Sequence, residues 1–142
     1  MKKNKTKLAS EKERDFLLAY EDELKAFGAE APYMPRRELI LRALYSDRAR
    51  FYVSYEEASR QVRSILNHRP TRGRNECKTA MYQELARLVA EYMERHPQAT
   101  CREALFTILA EGRASRFFFG EQTARLILSR YQREYSPTHT AA

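Results

Sequence analysis

Ten arginines and no lysine lie between residues 36 and 74, against four acidic side chains. Guanidinium groups bind phosphate through paired, planar hydrogen bonds and stack on flat rings, which a lysine ammonium does poorly. Five of the ten are placed to act together. Arg60 and Arg63 fall off the apolar stripe of a predicted helix, and Arg69, Arg72 and Arg74 sit in the loop that follows it, Asn67-His68-Arg69-Pro70-Thr71-Arg72-Gly73-Arg74. This pattern suits contact with the phosphate backbone of DNA or RNA, with little reading of base sequence. Glu56 and Glu57 occupy the first turn of the same helix, where a helix-turn-helix reader touches base edges, and their charge opposes phosphate there. A basic face also has a plainer use, because arginine near a helix C-terminus is favoured by the dipole and exposed charge keeps a small protein dispersed.

Residue types that catalyse are present, but not in catalytic spacing. His68, His96 and His139 stand alone, none spaced as a metal pair with another histidine, a cysteine or a carboxylate. Gly28, Gly73, Gly112 and Gly120 are isolated, so no glycine loop cradles a phosphate, and no serine or cysteine nucleophile motif is written. Glu21-Asp22-Glu23 reads as a solvated helix face, with Glu21 and Lys25 forming an i, i+4 pair. Cys77 and Cys101 fall in different predicted helices and read as buried, reduced thiols. The expectation is a non-catalytic protein with no cofactor, no metal and no small-molecule substrate.

Length and composition bound the elements that position these groups. The 142 residues amount to one domain, able to bury roughly two-thirds of the unfolded chain's surface. The net charge of +7 is unevenly spread: residues 1–35 sum to zero, 36–74 to +6, 75–99 to −1 and 100–142 to +2. Four Gly and five Pro leave little room for low-complexity tracts. No window holds the roughly 18 apolar residues of a membrane helix. The basic start, Met1 to Lys7, meets Glu11, Lys12 and Glu13 soon after Leu8-Ala9-Ser10, which is not the pattern of an export signal. A cytoplasmic location is expected.

Helical periodicity dominates the chain. Phe16, Tyr20, Leu24 and Phe27 mark one face of a first helix that Gly28 ends, with Pro32 and Pro35 beyond it. A second helix is predicted from Arg36 to about Ser46, with Leu39, Ile40, Ala43 and Leu44 inward. A third opens on the capping box Ser54 to Glu57 and carries Tyr55, Ala58, Val62, Ile65 and Leu66 inward until Pro70 and Gly73. A fourth runs from about Asn75 to Arg95 with Met81, Leu85, Leu88 and Tyr92 on one side. The capping box Thr100 to Glu103 opens a fifth, through Leu105, Ile108 and Leu109. Gly120 precedes a sixth, whose inner face is Ala124, Ile127, Leu128 and Tyr131.

The two halves repeat. An offset of 65 sets Pro32 on Pro97, Arg37-Glu38 on Arg102-Glu103, Leu44 on Leu109 and Arg48-Ala49 on Arg113-Ala114. Ser115 is an insertion, after which an offset of 66 sets Arg50-Phe51 on Arg116-Phe117, Tyr52-Val53 on Phe118-Phe119 and Ala58 on Ala124. The expected fold is all-α, a compact bundle of about six helices built from two tandem three-helix units. The units span 15–74 and 75–135, flanked by a basic flexible lead, 1–14, and a flexible tail, 136–142. Phe51-Tyr52-Val53 and Phe117-Phe118-Phe119 are predicted as short extended links, Phe51 and Val53 inward and Tyr52 outward. These rings either plug the seam between helices or offer a stacking or docking platform.

Arg50-Phe51-Tyr52-Val53-Ser54 followed by Glu56-Glu57-Ala58, with Met34-Pro35-Arg36-Arg37-Glu38 ahead and a diverged copy downstream, resembles small uncharacterised helical proteins of Bacteroidetes-type bacteria. The likeness covers about Asp15 to Tyr131, and the second copy departs from it with Gly120 in place of the capping serine. The resemblance implies no activity. The functional expectation is therefore a nucleic-acid-associated protein holding DNA or RNA backbone through Arg60, Arg63, Arg69, Arg72 and Arg74. The alternative is a protein-interaction or adaptor module, or a homodimer, docking through an apolar groove around the aromatic links.

Overall fold

The computed structural model describes residues 2–69 and 75–140, with side chains described from 7 to 69 and from 75 to 131. Its described residues form six α-helices and no strand: α1 (Lys2–Phe27), α2 (Arg36–Leu44), α3 (Tyr55–Leu66), α4 (Glu76–Arg95), α5 (Cys101–Glu111) and α6 (Glu121–Thr140). Local chemistry sets their starts. The Ser54 hydroxyl accepts from the Glu57 amide at 3.3 Å and Thr100 from the Glu103 amide at 3.1 Å, while Asn75 accepts from Cys77 and Lys78 at the head of α4. Both predicted capping boxes close on one side only. The Glu57 carboxylate turns forward to Gln61 and Arg60 instead of back to the Ser54 amide.

Several boundaries differ from expectation. The stretch 1–14, expected as a flexible lead, includes the first turns of α1, and α6 continues past Tyr135 through the expected tail as far as Thr140. Gly28, with a positive φ of 55°, turns α1 into a 3-10 segment, Gly28–Tyr33, that contains Pro32. α2 ends at Leu44, so residues 45–54 connect it to α3. The buried face of α1 is Phe16 and Ala19, whereas Leu24 is exposed. Beyond Ala19 the helix meets α2 and its following loop through polar groups: Asp22 pairs with Arg48, and the Arg42 guanidinium lies 5.1 Å from the centre of the Phe27 ring.

Helix packing crosses the boundary between the halves. α1 packs on α2 and α4 on α5, as short connections require, but α3 docks on α4 and α5 while α6 docks on α2 and α1. The third helix of each half therefore packs on the first two helices of the other, within one continuous core. Equivalent positions are buried in both halves: Leu39 and Ile40 in α2 answer to Ala104 and Leu105 in α5, and Ala58 and Val62 in α3 answer to Ala124 and Leu128 in α6. The helix starts keep the same register, with Arg36 and Cys101 offset by 65 and Tyr55 and Glu121 by 66.

The crossing is made at the aromatic links, which bend in place of forming strands. One antiparallel bridge joins Arg50 to Arg113, where the Ala114 amide donates to the Ala49 carbonyl at 3.0 Å. Ala49 and Ala114 are positions that the offset of 65 sets on one another in sequence. The rings also pair between the halves. Phe51 stacks on Phe118 with centroids 6.2 Å apart, and its counterpart Phe117 stacks on Tyr52, the counterpart of Phe118, at 6.1 Å. Phe16 closes the cluster edge-on against Phe117 and Phe119. Arg116 holds the second link from outside, donating to the Phe117 and Phe119 carbonyls at 3.0 and 3.2 Å.

Phe51, Phe117 and Phe119 are buried, as alternation predicts, but Tyr52 is not directed outward and Val53 is only half-buried. Tyr52 lies partly within the core and donates its hydroxyl proton to Asp15 at 2.6 Å. Burial first, and that hydrogen bond second, raise the Tyr52 phenol well above its ordinary value. A raised folded-state value means that this contribution to stability is whole below about pH 10, the value in the unfolded chain, and fades as pH climbs above it. Urea titrations across alkaline pH should accordingly find Tyr52→Phe less stable than the parent by about 1 kcal/mol at neutral pH, with the gap narrowing above about pH 10. In the same assay Phe117→Ala should lose about 3–5 kcal/mol, and Phe118→Ala distinctly less because its ring is only partly buried.

Candidate functional site

Arg60, Arg63 and Arg69 converge. All three line one shallow groove of about 620 Å³ along α3, together with Tyr55, Glu56, Ser59, Ser64 and Asn67. Helical spacing brings Tyr55, Ser59 and Arg63 to successive turns of the same side. Arg69 joins them because of how the helix ends. The His68 amide donates to Ile65 at 2.9 Å and the Arg69 amide to Ser64 at 3.0 Å, the two bonds of a Schellman cap, with His68 in the left-handed region at φ 56°. That cap turns the chain so that Arg69 rims the groove of the helix it has just left. Arg72 and Arg74, the remaining two arginines expected here, lie outside the described residues.

The groove is not uniformly positive. Arg60 is ion-paired with Glu57 one turn away, and its charge also acts on Tyr82 of α4, opposing the rise that burial imposes on that phenol. Glu56 lies in the groove wall near the start of α3. Positive charge thus gathers towards the C-terminal end of α3, where the helix carbonyls also favour it.

Elsewhere the surplus arginines of residues 36–74 are partly consumed by carboxylates. Arg37 donates to Glu121 at 2.8 Å across the α2–α6 contact, Arg42 pairs with Glu38 and Arg48 with Asp22. Arg37 and Arg125 together hold the Glu121 carboxyl below the usual glutamate range, and the hydrogen bond from Arg48 lowers Asp22 likewise. The basic stretch is therefore divided between pairing within the fold and the α3 groove. A second shallow depression, between α1 and α6, is walled by Glu13, Glu21 and Arg14 and suits a polyanion less well.

The remaining chemically able residues are dispersed. Cys77 and Cys101 are free thiols, half-buried where full burial was expected. Among the described residues no three His, Cys, Asp or Glu side chains come together as a metal site, and no helix is long and apolar enough to cross a membrane. In the aromatic links, Tyr52 and Phe118 are partly buried and pack against the core. What sequence reasoning missed is Phe106 on α5, 67% exposed and edge-on to Tyr55 with centroids 6.3 Å apart. Its spacing of one from Leu105 and two from Ile108 marks it as off the apolar stripe, which was the available signal.

The Schellman cap carries a direct test. A left-handed histidine costs about 1–2 kcal/mol relative to glycine, partly offset by the freer unfolded chain that glycine brings. His68→Gly should therefore stabilise the protein by about 0.5–1 kcal/mol in thermal or urea unfolding, and His68→Val should destabilise it. Compared with protein-family models, with curated proteins and with solved structures, the chain matches none.

Proposed function

We propose that the protein is a non-catalytic, cytoplasmic nucleic-acid-associated module that holds a phosphate backbone along the outer side of α3. The observation that carries this reading is the convergence of Arg60, Arg63 and Arg69 on one open groove; in sequence, Arg72 and Arg74 follow Arg69 within five residues. Guanidinium groups there are accompanied by the hydroxyls of Ser59 and Ser64 and the amide of Asn67, all able to donate to phosphate oxygens. Glu56 and Glu57 at the start of α3 make base-edge readout by that turn unfavourable, so affinity comes from backbone contact with little dependence on sequence.

The scaffold in this reading is a duplicated three-helix unit whose third helices are exchanged. Supporting it are the shared offsets of the helix starts, the backbone hydrogen bond between the equivalent residues Ala49 and Ala114, and the crosswise stacking of the rings. Among the described residues the basic groove lies on the first copy. At the positions equivalent to Tyr55, Arg60 and Arg63, the other copy has Glu121, Leu126 and Ser129.

Fluorescence-anisotropy titration with labelled DNA at several salt concentrations tests the proposal. Five phosphate contacts at about 0.9 each give a log–log salt slope near −4.5 on duplex DNA, or roughly a 500-fold loss between about 50 and 200 mM salt. Reversing Arg63 and Arg69 together to Glu should remove most of this affinity, while reversing Arg125 on the opposite copy should leave it intact. Affinity that is absent, or indifferent to salt, overturns the reading.

A further inference from the structure

We infer that the α3 groove takes single-stranded nucleic acid, with Phe106 as the platform on which a base stacks. This rests on the phosphate-contact reading above and adds the class of strand to it. The observation is a large apolar ring left exposed beside Tyr55, one of the residues that line a basic groove. Phe106 projects from α5, is 67% exposed, and is braced edge-on by Tyr55, itself a groove residue. Arg102, also exposed, lies one turn before Phe106 on α5, the spacing of helix-surface neighbours. Aromatic platforms beside a row of cations are the recurring means of holding single strands, because every unpaired base offers a π-face, whereas in a duplex those faces are already stacked.

The distribution of charge along the groove gives the strand a direction of approach. Arg63 and Arg69 lie towards the C-terminal end of α3, while Tyr55, Glu56 and the neighbouring Phe106 lie at its N-terminal end. The 12-residue helix is about 18 Å long, room for a few nucleotides. Phosphates pair with the guanidinium end. The base that reaches Phe106 lies beside Glu56, where a phosphate would be repelled but an exocyclic amine of a base can be accepted. The acid that counts against a duplex lying along the whole helix is thus compatible with a single strand that turns a base towards α5.

The fold does not account for Phe106. The equivalent position in the other half is Leu41, also at the surface; Arg102 has a counterpart there in Arg37, but Tyr55, which braces the ring, is answered by Glu121. An exposed phenylalanine is therefore not a requirement of the repeated architecture.

The test uses the full chain with three labelled probes of equal length: oligo-dT, a single-stranded RNA of mixed sequence, and duplex DNA. Because the ring is exposed, Phe106→Ala should keep its fold, which a thermal melt checks. The expected result is about a tenfold loss of affinity for both single-stranded probes, no change on the duplex, and recovery in Phe106→Trp. The Arg63→Glu, Arg69→Glu double variant should lose binding to all three. Unchanged single-strand affinity in Phe106→Ala, or an equal loss on the duplex, overturns the stacking inference while leaving phosphate contact standing if the double variant is defective. No binding of any probe by the parent protein removes both.

Discussion

The crosswise contact of the two aromatic links is the constraint on which the rest of the molecule depends. Phe51 on Phe118 and Tyr52 on Phe117 bring together residues far apart in the chain, and Phe16 seals them from the α1 side. Each ring buries a large apolar area and adds a preferred geometry to it. The links are also the points from which α3 and α6 depart, so their placement decides which helices each third helix packs on. Once Ala49 and Ala114 are hydrogen-bonded across the seam, α3 leads towards α4 and α5, and its outer side with Arg60 and Arg63 is left to solvent.

Much of this was legible in the amino-acid sequence, and the reason is locality. Ser54, Asn75 and Thr100 are strong caps, and the apolar stripes of α2 through α6 repeat at helical spacing, so helix positions follow from neighbours within a few residues. Which helix packs on which is a different matter. The stripe of α3, Ala58 and Val62, is chemically much like that of α6, Ala124 and Leu128, and nothing local tells which helices each will pack on. The exchange of third helices is visible only in three dimensions. Leu24 misled for a related reason: its periodicity is correct, but α1 meets its neighbours there through Asp22 and Phe27 with arginines and not through an apolar surface.

The site was legible in part. Counting arginines pointed to the right helix, but could not tell that Arg37, Arg42 and Arg48 are matched by Glu121, Glu38 and Asp22 while Arg63 and Arg69 face the groove. Formal charge is a property of the chain; the field at a surface depends on which carboxylates the fold brings near. The capping role of His68 was hidden because histidine is not the usual residue at a left-handed helix end. Spacing alone sets Phe106 off the stripe of α5, but its contact with Tyr55 of α3 joins two helices and could not be read locally.

The reciprocal lodging of α3 and α6 sets an order in time. During synthesis from the N-terminus, α1 and α2 can pair as soon as they emerge, but α3 has no surface to occupy until the chain has been extended through Glu111 and α4 and α5 exist. Its stripe of Ala58 and Val62 stays uncovered meanwhile. The cavity that α6 fills between α1 and α2 is closed last of all. The pairings of α3 with α5 and of α6 with α1 and α2 are thus late and sequence-distant, which slows folding relative to a bundle of adjacent hairpins.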